Sequence, residues 1–294
     1  MIVKPKFFFQ KGMEYIGKTY ILTLKYNDSN KRQFHSFFKI DPFTCGTIWN
    51  KIYNLVPDLF YYHLLWALLF MKLYSSEALL CKQVGTTEKT YREKVWKIIA
   101  AISSLKPKII KLENRFKMQN GSCCLMSVDG TDFRIREPKP FWSGWYSHKF
   151  RGPGLRYEVA LCIQTGHIVW TNGPFAAGHW SDLKIFRTWL KHYLLPDERV
   201  ETDGGYAVFG RKDDKCDRPH DYCYTMDQYY AKTNVRARQE TVNRQFKEFN
   251  ILHDVFRHKK EKHGIVFDAI AVITQLTIEN GNKLYDVHYR TYNV

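Results

Sequence analysis

The sequence has no long hydrophobic run. Its longest, Leu64–Met71 within Tyr61–Tyr74, is bounded by His63 and Lys72. That falls short of the roughly 18–20 apolar residues that cross a bilayer, so it reads as a buried helix, and no membrane is expected among the partners. A secretory leader is not expected either, because MIVKPKFFFQKG sets a proline and a second lysine before three phenylalanines, with no small-residue cleavage site behind. Cysteine is scarce and odd in number, with seven residues at 45, 81, 123, 124, 162, 216 and 223. Scattered thiols, several inside apolar strands, suit reduced core residues of an intracellular protein better than a disulfide framework. Acidic charge is also short, with 29 Asp+Glu against 45 Lys+Arg and a formal net charge of +16. With 45% apolar and 16% aromatic residues the chain is no disordered basic tail. The excess points to a polyanionic partner, nucleic acid first.

At 294 residues the chain suits one large domain, or a core with a smaller satellite. Residues 1–42 mix aromatics with the polar turn Asn27-Asp28-Ser29-Asn30-Lys31-Arg32 and read as an arm of uncertain order. Residues 43–105 read as helical: Ile48, Ile52 and Leu55 share a face, and Pro57 suits a helix start before Leu59–Leu73. A short helix at Ser76–Gln83, a turn at Gly85 and a helix capped by Thr86 or Thr87 then make a helix-turn-helix candidate. Its second helix carries Tyr91, Val95, Ile98 and Ile99 on one stripe and Lys89, Arg92 and Lys97 largely outside it. A plain helical hairpin explains the same spacing. Residues 106–119 are a basic connector.

Strands are expected from Cys123. The run 123–128 reads as a buried strand ending at Asp129-Gly130, and Tyr157–Ile163 alternates and forms a hairpin with His167–Thr171. Ser181 caps a helix through Leu183, Phe186, Leu190 and Leu194, and Arg199–Thr202 is a short strand ending at Asp203-Gly204-Gly205. Residues 210–232 read as polar and irregular, Asn234–Leu252 as a helix with Val235, Val242, Phe246 and Phe249 inward, and Phe267–Ile278 as a last apolar helix. The fold class is α/β, with a mixed α/β domain at 120–285, an all-α region before it and a tail at 286–294.

Three carboxylates occupy unusual positions. Asp129 and Asp203 each end a strand, and Glu240 lies on its helix opposite the apolar stripe, among Arg236, Asn243, Arg244 and Lys247. If they converge, they form an all-oxygen site suited to Mg²⁺ or Mn²⁺, and the surrounding cations suit a phosphodiester substrate. Singly, each has a bland explanation as a turn residue or a solvated helix charge.

The blocks VDGTDF (128–133), GHWSDLKIF (178–186), TDGGY (202–206) and VRARQETVNRQFKEFNIL (235–252) resemble, in order, those of the DDE endonuclease superfamily of transposases, Harbinger-like ones in particular. The resemblance implies an RNase H-like fold, a five-stranded mixed sheet flanked by helices. It implies a catalytic triad of Asp129, Asp203 and Glu240 holding two divalent ions, with Asp132 a rival for the first position and Asp182 accessory. It also implies cleavage and joining of double-stranded DNA (transposon ends and target) in the nucleus, by a homo-oligomer that often works with a Myb-like DNA-binding partner. A descendant that binds DNA without cutting it, and a nuclease that does not transpose, are the alternatives.

Other groups are open to two readings. Cys216, His220 and Cys223 could hold zinc with His253, His258 or His263, or lie in an ordinary polar loop. The segment 141–157 interleaves Trp142, Trp145, Tyr146 and Phe150 with His148, Lys149, Arg151 and Arg156. It suits either a DNA-contacting loop or a packed aromatic hairpin. RHKKEKH (257–263) reads as a solvated charge run, less often a backbone contact or nuclear-import signal.

Overall fold

In the computed structural model, which describes residues 3–18, 25–117, 123–208, 211–218, 221 and 225–289, helices come first. They are α1 (Pro5–Tyr15), α2 (Asp28–Phe38), α3 (Pro42–Ile52), α4 (Tyr61–Leu73), α5 (Glu77–Gln83), α6 (Glu88–Ser103) and α7 (Lys106–Ile109). Strands follow: β1 (Cys124–Arg134), β2 (Tyr146–Ser147), β3 (Gly152–Cys162) and β4 (Ile168–Ala176). Then come α8 (Asp182–Thr188), β5 (Arg199–Glu201), β6 (Ala207–Val208), β7 (Arg211–Lys212), β8 (Cys216–Asp217), α9 (Met226–Lys247), α10 (Asn250–His253) and α11 (Glu261–Glu279). The protein is mixed α/β and forms two compact units. A helical unit takes the described residues of 1–109, 245–254 and 261–282, and a sheet unit those of 110–244, 255–260 and 283–294. Among the described residues no helix is long and apolar enough to cross a membrane.

In the helical unit, the segment read as an uncertain arm supplies α1 and α2, which bury Phe8, Phe9, Met13, Phe34 and Phe38. Three consecutive phenylalanines cannot share one helical stripe, and Phe7 is indeed exposed. That is why no clean periodicity is visible there. Asp41 caps α3 by accepting the Phe43 and Thr44 N–H groups, with Pro42 at the first helical position. The helix ends at Ile52, so Leu55 is exposed instead of sharing the face of Ile48 and Ile52. Helix α4 is buried from His63 through Met71, as a helix apolar on every side requires.

Ser76 caps α5, Gly85 turns at φ 74°, and Thr87 caps α6, matching the expected boundaries. The last helix begins at Glu261, earlier than expected, and groups with the helical unit and not with the 120–285 region. It too is apolar on most sides, and α6, α7 and α3 cover it.

In the sheet unit β1 is central. It runs antiparallel to β3, with Asp129 opposite Val159 and Arg134 opposite Gly154, and parallel to β5, with Ser127 opposite Glu201. On the far side of β3 lie β4 and the two-residue β2, and β8 extends the sheet beyond β5 in parallel. Asp129-Gly130 is therefore no turn, and β1 continues six residues past Val128 because β3 pairs with it throughout. In β3 the residues between the expected inward ones, Glu158, Ala160 and Cys162, are buried as well, so both faces of the strand are covered.

Ser181 caps α8, and Leu183, Phe186 and Leu190 pack with Met126, Val128, Val200 and Cys216. Helix α9 starts at Met226, earlier than the expected Asn234 and inside the stretch read as irregular. Its start is a reciprocal capping box, in which the Thr225 N–H donates to Gln228 Oε1 and the Gln228 N–H donates to Thr225 Oγ1.

The connector is anchored by a buried ion pair. Arg115 donates to both carboxylate oxygens of Glu198, at 2.8 and 3.2 Å, and to the Leu112 and Tyr193 carbonyls. This pair fixes the chain just before β5. Glu198→Ala leaves the guanidinium buried and unpaired, so urea denaturation is expected to show a loss of about 3–5 kcal/mol. A loss below ~1 kcal/mol would mean that the pair is solvated.

Candidate functional site

Strand β5 stops at Glu201, while β1 runs on. The parallel register that sets Ser127 opposite Glu201 brings Asp129 and Asp203, two residues further on each chain, to the same end of the sheet. Asp203 turns the chain there, its Oδ1 accepting the Gly205 N–H at 2.8 Å. Helix α9 is pinned across the same face of β1. Ser127 Oγ donates to Gln239 Oε1 (2.8 Å), Gln239 Nε2 donates to the Val159 carbonyl (3.1 Å), and Asn243 Nδ2 donates to Asp129 Oδ2 (2.7 Å). Four residues of helix advance about 6 Å and two of strand about 6.6 Å, so positions 239 and 243 stay in step with 127 and 129.

The result is an open cleft lined by Asp129, Asp203 and Glu240, together with Ser127, Glu201, Thr202, Lys232, Arg236 and Gln239. The three carboxylates expected to form a triad thus face one space. Their contributions differ. Asp129 is held by Asn243 and by the Gly130 N–H, and its carboxyl is pushed up to about 6 by burial and by the nearby charges of Asp203 and Asp182, against the opposing pull of Lys149. Asp203 has no ion pair among the described residues. Glu240 is exposed and pairs with Arg236 at 3.4 Å. The three are not drawn together tightly: among the described residues, only Cys124, Glu201 and Asp217 bring three such ligand atoms within 4.8 Å of one another. Asn243, read from the sequence as a neighbour on Glu240's solvated face, is nearly buried and turned to Asp129.

Asp182 lies on the opposite face of β1. A methyl group added at Gly130 would sit 1.7 Å from Asp182 Oδ1, and side chains at 129 and 130 alternate across the sheet. Its carboxyl is raised by burial and by Asp132 and Asp203, while Arg156 and Lys149 oppose. Arg156 lies 3.4 Å from Asp182 Oδ1 but spends its fork on Asp132, at 2.7 and 3.0 Å. Ser147 Oγ also donates to Asp132. Asp132, the rival for the first position, is therefore committed to a buried ion pair. Lys149, set down from its sequence as a DNA contact, donates from Nζ to the Gly130 carbonyl at 2.8 Å and supplies positive charge to both Asp129 and Asp182.

The buried Cys124, Glu201 and Asp217 could hold a metal ion. Lys232 lies 2.8 Å from Glu201 and Arg199 lies 3.4 Å from Asp217, so two cations already balance the two carboxylates. Of the zinc candidates, Cys216 is buried in the core beneath α8, where burial pushes its thiol up, and His220 and Cys223 lie outside the described residues. His253 pairs with Asp254 on the surface, and His263 is fully buried in α11.

The expected DNA contacts divide between the units. Lys89, Arg92, Lys97 and Lys247 are in the helical unit, and Lys149, Arg151, Arg236 and Arg244 in the sheet unit. Arg92 is engaged by Glu77 and Glu88, and Lys97 by Asp58 and Glu93, while Lys89 is exposed. These are surface pairs that cost little to exchange for a phosphate. No protein-family model, curated protein or solved structure matches the chain.

The raised Asp129 carboxyl has a consequence for stability. The native state holds that proton to higher pH than the unfolded chain does, so stability falls as pH rises from about 4 through about 6, and the full penalty applies above. Asp129→Asn removes the charge, and Asn243, whose Oδ1 has no hydrogen-bond partner among the described residues, can turn its amide to keep its bond to position 129. The variant is expected to melt a few degrees higher than wild type at pH 7.5 in chelator, about 1 kcal/mol, with the gap closing at pH 4. Equal melting at both pH values would show that the carboxylate is not under repulsion.

Proposed function

We propose that this chain is a metal-dependent DNA endonuclease and strand transferase of the DDE type. The observation that carries the reading is the single cleft shared by Asp129, Asp203 and Glu240, which come from three separate elements. The donor set suits the group: three carboxylates face the cleft, two of them repel one another, and Asp203 has no cation of its own among the described residues. Strands β4, β3, β1, β5 and β8 in one path, with α8 on one face and α9 on the other, support the RNase H-like reading. The two-residue β2 is an edge addition to the five strands implied.

On this reading Asp129, Asp203 and Glu240 would hold two Mg²⁺ or Mn²⁺ ions. Bound there, the ions would supply activation of an attacking hydroxyl and stabilisation of the departing oxygen. The chain's own residues do the positioning. Asn243 and the Gly130 N–H fix the Asp129 carboxylate, and the Gly205 N–H fixes Asp203. Arg236 and Arg244 present positive charge along the exposed side of α9, where the backbone of double-stranded DNA can be neutralised. In the helical unit, the capped α5–turn–α6 supports the helix-turn-helix reading. Action in the nucleus, as an oligomer on paired transposon ends with a Myb-like partner, completes the proposal.

A second reading, a protein that binds DNA without cutting it, is favoured by the exposure of Glu240 and its pairing with Arg236. Mg²⁺-dependent nicking of a plasmid separates the two. Asp129→Asn, Asp203→Asn and Glu240→Gln are each expected to abolish nicking while DNA retention in a gel-shift assay stays within about twofold. Wild-type nicking by Glu240→Gln would remove Glu240 from the triad, and no nicking by the wild type would favour the binder.

A further inference from the structure

The sheet unit carries an aromatic ridge that the cleft does not use. Backbone bonds tie two distant segments together, with the Gly178 and His179 N–H groups both donating to the Gly144 carbonyl, at 2.9 and 3.0 Å. Neither glycine can be replaced cheaply: a methyl on Gly178 would meet the Tyr146 carbonyl at 2.5 Å, and one on Gly144 would meet the Trp142 ring at 2.4 Å. These ties set Trp142 against His179 (centroids 5.3 Å) and Trp145 (5.6 Å), and His179 against Trp180 (5.7 Å).

Trp142 packs against Gly144 yet remains 45% exposed. Phe141 beside it is 60% exposed. Cations sit among the rings, with Lys184 over Trp180 at 4.3 Å and Lys260 over Trp145 at 4.8 Å. The loop of Trp142 and Trp145 runs on to Lys149, whose Nζ holds the Gly130 carbonyl beside Asp129. Partly exposed aromatic rings interleaved with cations, on a chain of net charge +16, match the flat rings and phosphates of unpaired nucleotides. A fully paired duplex keeps its base faces stacked and hidden.

We infer that the ridge built on Trp142, with Phe141, Trp145, Trp180, Lys184 and Lys260, is a stacking platform for unpaired DNA bases on the sheet unit. The inference names the substrate form for the DNA-cutting activity proposed above and rests on that reading: the DNA that the sheet unit engages is frayed or single-stranded.

The test uses the full chain with two probes, a fluorescein-labelled oligothymidylate and a paired duplex of equal length, read by anisotropy. Trp142→Ala is expected to weaken oligothymidylate binding roughly tenfold and duplex binding less than about twofold, while Trp142→Phe keeps most of the affinity. Phe141→Ala, at a more exposed position, serves as a second variant and should weaken the oligothymidylate alone by a smaller factor. Equal losses on both probes, or no loss on either, would overturn the platform. So would failure of the wild type to bind the oligothymidylate. Nicking by the wild type is scored in parallel: selective loss of oligothymidylate binding without any wild-type nicking would sustain the platform and sink the metal site.

Discussion

The site depends on one geometric constraint, that β5 ends while its neighbour β1 continues. Past Glu201 no strand among the described residues pairs with that side of β1, so Asp129 and Asp203 face a shared open space and not the inside of a ladder. A longer β5 would enclose both carboxylates between sheet and helix, where their charge could not be sustained. A shorter β1 would lose the bond from Asn243 that aims Asp129 into the cleft. The polar pairing of α9 with β1 matters for the same reason. Gln239 and Asn243 fix the helix along the strand through directional hydrogen bonds, which specify register more sharply than apolar packing does.

Electrostatics argues that this arrangement is kept for something other than stability. Asp203 and Asp182 raise the cost of ionising the buried Asp129, and the compensating charge from Lys149 comes from an exposed loop side chain. By contrast, the Arg115–Glu198 pair and the Arg156–Asp132 pair show how this chain handles charge where structure alone is at stake: forked, close and buried. Carboxylates left half-compensated at the mouth of a cleft are the pattern expected of a functional site.

Much of this was legible in the residues, because it rests on local chemistry. Helix starts at Ser76, Thr87 and Ser181 follow from short polar side chains that satisfy free N–H groups, and the α/β division follows from the change in apolar period. What escaped has two physical causes. Some signals were local but masked by composition, such as the Thr225–Gln228 capping box inside a polar stretch, or α1, whose consecutive phenylalanines blur any stripe. Others exist only between elements. That Asp129-Gly130 continues a strand depends on β3 lying alongside, and that Asn243 faces Asp129 depends on the phase of α9 over β1. The aromatic ridge belongs to the second kind as well, since its rings come from two distant segments, 141–145 and 179–180.

The two faces of β1 divide the work. On the α9 face, Asp129 carries its charge into the cleft. On the α8 face, Glu158 lies opposite Gly130 in register, fully buried, with Oε2 accepting from Trp170 Nε1 at 2.8 Å. Burial, with Asp182 adding to it, pushes that carboxyl up to about 8, so Glu158 carries a proton near neutral pH. Asp182 on the same face is met by Arg156. The α8 face thus sets Asp132 and Asp182 against the single guanidinium of Arg156, so its negative charge is only partly balanced, and Asp182 adds to the repulsion that Asp203 exerts on Asp129.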